Sequence, residues 1–195
     1  MLVFWLNAAL SLLLAGPAAP PTARRPAVEA RLRANTPPSS AADWQALGAG
    51  IDDVLIAIAG DAKADLQVRS RAVSALGVVS TRPSRAFLES VIKQKASSTD
   101  SGEKLILRKA ALALGWAGGA AVPAQLASLL QHPDPDVRLD AAIGLGFTRS
   151  QEAADLLRTR FDVETVARVR SQIGRQLSLI EQAASATKRA ATGTQ

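Results

Sequence analysis

The sequence predicts an all-α chain, a solenoid of about four stacked helix pairs. Three observations carry that expectation. Ala and Leu dominate a composition that is 48% apolar and only 4% aromatic, with no Tyr, and both residues stand at the top of the helix scale. Apolar residues recur at spacings of three and four, with no strand-like alternation to compete. A twelve-residue pattern also returns along the chain as LQVRSRAVSALG, KLILRKAALALG and PDVRLDAAIGLG, and in a weaker form as ARVRSQIGRQLS. Self-similarity at a period of 30 to 40 residues is the signature of helix pairs that bury their apolar faces against one another.

The elements follow in order. MLVFWLNAALSLLLAG is uncharged and short for a membrane span of about 20 residues. With small residues after it, it reads as a secretory signal over residues 1–18, cut after Ala18. An uncleaved anchor and a soluble or buried helix are the alternatives, since no Lys or Arg precedes the apolar run. Residues 19–40, rich in Pro, Ala and Arg, are expected to be a tether that buries little, with room for a short helix around 27–34. The repeat domain then spans 41–182, and residues 183–195 form a disordered tail.

Within the domain, Trp44, Leu47, Ile51, Val54, Leu55 and Ile58 lie on one face of a helix starting near Asp43. Pro83 and Pro123 open two further first helices, as Pro does in a first turn. Another starts near Ser150. The repeated dodecapeptides are the second helices. Leu76, Leu114, Leu145 and Leu177 fill the seam between repeats. Gly77, Gly115 and Gly146 are expected near helix ends, where left-handed geometry suits glycine. Asp65, Glu103 and Asp134, each four places before the Arg position, can cap backbone amides or meet the Arg one turn on.

These residues resemble the HEAT-repeat family, specifically its short type first named from phycobilisome lyases. Val68-Arg69, Ala72, Leu76-Gly77, then Val137-Arg138, Ala141-Ala142, Leu145-Gly146 and the connector HPDPDVR carry the resemblance. It implies a right-handed superhelix whose second helices line the side where partners dock. Two departures stand out: Leu107 occupies the Arg position of the second copy, and a polar insertion, ASSTDSGE (96–103), lengthens that repeat.

The formal net charge of +6 sits mostly at the ends: residues 37–183 hold 17 basic and 16 acidic side chains. That argues against a nucleic-acid-binding body. Second helices nonetheless carry Arg69, Arg71, Arg108, Lys109, Arg138, Arg168, Arg170 and Arg175. These either pair with Asp65, Asp136, Asp140 and Glu164 inside the fold or attract an acidic peptide, an anionic polymer or a lipid surface. Arg69 and Arg138 read first as struts between repeats. Trp116 and Phe147 end neighbouring second helices at equivalent positions, to pack on the next repeat or to anchor a partner.

Chemistry is sparse. With no Cys, thiolate catalysis and Cys-based metal sites are excluded. His132, the single His, stands beside Asp134 and Asp136 and reads as a solvent-facing turn rather than a metal ligand. No G-x-S-x-G or phosphate-binding Gly-Lys-Ser/Thr occurs. The iron-binding His-Glu pairs of HEAT-like hydroxylases are absent too. The expectation is an exported, non-catalytic adaptor without cofactor that binds another protein through the basic and aromatic residues named, with membrane contact only through an uncleaved N-terminus. A bilin-handling, lyase-like protein and a binder of an anionic polymer or nucleic acid are the rivals.

Overall fold

The computed structural model describes residues 21–36 and 38–192, and among them every regular element is helical. In order these are α1 (Pro21–Arg33), α2 (Ala41–Gln45), α3 (Ile51–Gly60), α4 (Leu66–Val79), α5 (Arg82–Lys95), α6 (Ser101–Ala117), α7 (Val122–Ala127), a 3-10 turn (Ser128–Gln131), α8 (Pro135–Thr148), α9 (Gln151–Val163) and α10 (Ala167–Thr192). The second helices α4, α6, α8 and α10 pack side by side in sequence, and α3, α5, α7 with its 3-10 turn, and α9 back them. This is an all-α solenoid. No helix among the described residues is long and apolar enough to cross a membrane. The expected signal at 1–18 lies outside the described residues.

Local chemistry sets the boundaries. Thr81 caps α5 by accepting from the Ser84 amide, and Ser150 does the same for α9 at Ala153. Asp65 and Asp134 cap α4 and α8. Glu103 is not a cap: Asp100, inside the polar insertion, takes that role. Thus α6 begins about one turn earlier in its repeat than its counterparts, and the insertion's last residues are helical.

Four expectations are corrected. Residues 21–33 are not a tether but a helix whose Val28 and Leu32 are buried against α3 and α4. It covers the exposed flank of the first pair, as terminal repeats require. The single helix expected from Asp43 is broken. Gly48 and Gly50 adopt φ of 117° and 71°, and the turn wraps the Arg24 side chain, which donates to the Ala49 carbonyl. At the other end α10 runs on to Thr192, so 183–192 continue a helix rather than a disordered tail.

The fourth correction concerns the repeated glycines. Gly77, Gly115 and Gly146 lie inside α4, α6 and α8, and the positive-φ cap positions fall three residues later, at Ser80, Gly118 and Arg149. What requires glycine is proximity. A Cβ on Gly77 would stand 2.6 Å from the Ala113 carbonyl oxygen, and one on Gly115 would overlap the backbone of Gly144. A Cβ on Gly146 would overlap the Gln176 side chain. At Gly77 and Gly115 the second helices touch backbone to backbone, and at Gly146 the space is taken by the Gln176 side chain.

Candidate interaction groove

Ion pairs cross nearly every joint between second helices. Arg69 of α4 reaches Glu103 of α6 at 3.3 Å. From α6, Lys104 meets Asp134 at 2.8 Å, while Arg108 meets Asp140 at 2.7 Å and Asp136 at 3.6 Å. Arg168 of α10 returns to Asp136. The deepest joint is Arg138, whose Nε and Nη2 each donate to Glu164 at 2.8 Å, with both side chains buried and Arg160 on the same carboxylate. Arg138, helped by the Val166 amide and Arg160, holds the Glu164 carboxyl down at about 2. Burial pushes Asp140 the other way, up, against the opposing pull of Arg108 and Lys109.

The expected binding row is therefore largely consumed within the fold. Arg69, Arg108 and Arg138 are links between repeats. Arg71 donates to the Leu32 and Ala34 carbonyls, closing the C-terminus of α1. Arg170 lies over the Phe161 ring, 4.6 Å from its centroid. Lys109 is half-buried and adds its field at Asp140. His132 is corrected as well. It is 7% exposed rather than solvent-facing; its Nδ1 accepts from the Asp134 amide and its carbonyl from Arg138. It braces the loop that enters α8, and no group of His, Asp and Glu suited to a metal occurs among the described residues.

The aromatic pair has a different fate. Trp116 and Phe147 meet edge to face, with centroids 5.4 Å apart and planes at 89°, a geometry that ring quadrupoles favour. They remain 63% and 42% exposed. Beside them Leu179 is 54% exposed. These three, with Gln176, Arg149 and Ala183, line a groove of about 670 Å³. Helix length creates it. Helices α6 and α8 stop at Ala117 and Thr148, whereas α10 overhangs by several turns and walls one side.

In the repeat register, Val78, Trp116, Phe147 and Leu179 are one position, the residue after the Gly or its Ser178 substitute. Sequence reasoning named Trp116 and Phe147 but passed over Leu179. The signal was present in the alignment of the fourth copy, hidden because Ser replaces the glycine that marks the register.

Polar groups share this groove. Gln176 lies over Gly146, is 7% exposed, and has no hydrogen-bond partner for its amide among the described residues. Arg149 holds a left-handed conformation at φ 51°, which costs a residue with a Cβ about 1 kcal/mol or more. Its counterpart Ser80 is similarly left-handed, but the Ser80 hydroxyl donates to the Ala117 carbonyl and so ties two repeats. The Arg149 side chain is exposed and makes no ion pair among the described residues.

Residues 96–178 match the family model of HEAT repeats. Over this span the chain carries HEAT repeats. The matched span runs from the polar insertion through α10 as far as Ser178 and includes all the second-helix joints from α6 onward. The match is to HEAT repeats as a class, coarser than the short subtype the sequence resembles. No curated protein matches the sequence. HEAT repeats commonly mediate protein–protein interaction, and here the exposed large apolar side chains that line a common concavity are Trp116 and Phe147 at the ends of α6 and α8 and Leu179 at the equivalent position of α10.

Proposed function

We propose that this protein is a non-catalytic HEAT-repeat adaptor that binds a protein partner through the groove of Trp116, Phe147 and Leu179. One observation carries the reading. Three of the four equivalent positions after the repeat glycine hold large apolar side chains that stay substantially exposed in one concavity. Aromatic anchors in such a pocket are where binding energy concentrates, typically 2 kcal/mol or more for each. The basic row is a weaker candidate because its charges are paired across the repeat joints. The leader-like residues 1–18 support an adaptor acting in the cell envelope.

The test compares the full chain with Trp116→Ala/Phe147→Ala, after circular dichroism establishes that both are folded. Paired affinity captures from the native envelope fraction supply partners, and each captured protein is then purified and titrated directly. A partner bound by the native chain, and at least thirty-fold more weakly by the double variant, supports the groove (about 2 kcal/mol). Equal affinity for both chains refutes it. N-terminal sequencing of the mature protein checks the envelope reading: a first residue at position 19 supports cleavage after Ala18.

A further inference from the structure

The same groove carries information about what it takes, on the reading that it is a protein-docking site. Its lining combines the apolar Trp116, Phe147, Leu179 and Ala183 with the amides Gln176 and Gln182, and Arg149 is the sole charged residue among the lining residues, with no carboxylate there. Arg149 is charge-unpaired among the described residues and stands in a left-handed backbone conformation where glycine is the unstrained choice; at the equivalent position 118 glycine also has a positive φ, with an extended ψ. At Ser80 the side chain answers for the strain by bonding the next repeat. At Arg149 nothing in the fold does so. An observed backbone outlier at the edge of a cavity is a pointer to function. Gln176 adds a polar group to the lining: its side chain makes no hydrogen bond among the described residues, and its amide is open to the groove rather than sealed in the fold.

We infer that the groove reads a short acidic peptide segment. An aromatic or aliphatic side chain of the segment packs on Trp116, Phe147 and Leu179, a peptide group bonds the Gln176 amide, and a neighbouring carboxylate pairs with Arg149. Guanidinium is the group suited to that last contact, because its planar fork offers two parallel donors to a carboxylate.

The test needs no known partner. A random peptide display library is panned over the immobilised full chain, and in parallel over Trp116→Ala/Phe147→Ala. Enriched sequences are synthesised and titrated against the native chain, Arg149→Gly, Arg149→Lys and Gln176→Ala. The expected sequences combine a large apolar residue with Asp or Glu within a few positions. Arg149→Gly then binds them at least ten-fold more weakly, as loss of a charge-assisted bond requires, while melting at or above the native temperature because left-handed strain is relieved. Arg149→Lys recovers part of the affinity, and Asn or Gln replacing the peptide's acid abolishes the difference between Arg149 and its Gly variant. Gln176→Ala weakens every selected peptide.

Enriched peptides without an acidic residue, or with unchanged affinity for Arg149→Gly, overturn the acidic-segment inference and leave the adaptor reading standing. No enrichment on the native chain over the double variant refutes both. Anionic phospholipid vesicles and a single-stranded oligonucleotide serve as further probes. Binding of either that exceeds the peptides and is lost in Arg149→Gly overturns the peptide assignment in favour of that polyanion.

Discussion

Replacing Gly115 by Ala tests the joint on which the solenoid depends. In an ordinary helix interior this change stabilises by about 1 kcal/mol, because Ala restricts the unfolded chain and favours the helix. Here the new Cβ would lie 2.6 Å from the Gly144 carbonyl carbon and closer still to its oxygen. Ordinary contact begins near 3.4 Å, and the oxygen lies at 2.2 Å, so α6 and α8 must separate locally by about 1.2 Å to clear it. A gap of that size forfeits about half of each dispersion contact along the seam. The obstructing atoms are backbone, so no side-chain rotamer can relieve them. Overpacking costs about 1–3 kcal/mol; obstruction by rigid backbone puts this change at the upper end of that range, about 2–3 kcal/mol, so a net loss of about 1–2 kcal/mol remains after the propensity gain. For a chain of this length that is a fall in Tm of about 2–8 °C.

Gly174→Ala is the internal control: its Cβ would meet Phe161 at 3.5 Å, ordinary contact, so it should raise Tm slightly. Gly115→Asn separates packing from capping. A left-handed cap tolerates Asn better than Ala, whereas a backbone joint tolerates it worse. Thermal melts followed by far-ultraviolet circular dichroism read all three. Gly115→Ala as stable as Gly174→Ala, or Gly115→Asn more stable than Gly115→Ala, would refute the reasoning.

Glu164→Gln leaves Arg138 buried without its counter-charge and should cost about 3–5 kcal/mol, measured by urea unfolding at neutral pH. The native Glu164 carboxyl, held at about 2, sits below its unfolded value; its contribution is complete above about pH 4.5 and is lost as pH falls toward 2. The acid limb of the stability profile should therefore flatten in Glu164→Gln, with Asp140, shifted upward, opposing the native slope. Leu32→Ala should cost about 2–5 kcal/mol; a neutral result would mean that α1 does not close the first repeat. Asp100→Ala should cost about 1 kcal/mol through loss of the α6 cap, a change no cap at Glu103 would produce.

The helices and their stacking order were legible because one face of each must be apolar at helical spacing, and because Pro83, Pro123, Asp134 and Ser150 announce their starts. What escaped the sequence depends on distance between repeats. Glycine serves a cap and a close contact equally well, and only the approach of Ala113 and Gly144 decides between them. Arg69 and Glu103, or Arg138 and Glu164, lie 34 and 26 residues apart, so no fixed spacing pairs them, and a row of cations reads as a binding face until its partners are placed. The first helix hid because the side chains it buries among the described ones, Val28 and Leu32, stand one turn apart within an Arg- and Pro-rich segment. The break at Gly48 and Gly50 was visible as two glycines, yet the apolar period on either side continues as if unbroken.

A repeat protein divides its labour by position. Gly77, Gly115 and Gly146 are identical because each meets the same demand, close approach to the next second helix. The residue that follows lies at the helix end, where stacking asks less of it, and there the copies diverge into a half-buried Val78 and the exposed Trp116, Phe147 and Leu179. Two positions further on, Ser80, Gly118 and Arg149 share a positive φ but not a side chain. Where the fold needs a bond, Ser supplies it; where it needs only the turn, Gly suffices. Arg149 satisfies neither need, and it stands where α10 overhangs the two shorter helices and forms a wall. Substituting Gly at 149 removes strain and no bond of the fold, so a loss of binding without a loss of stability comes from the side chain itself, and its recovery by Lys with loss of the effect on neutral peptides assigns it to the charge.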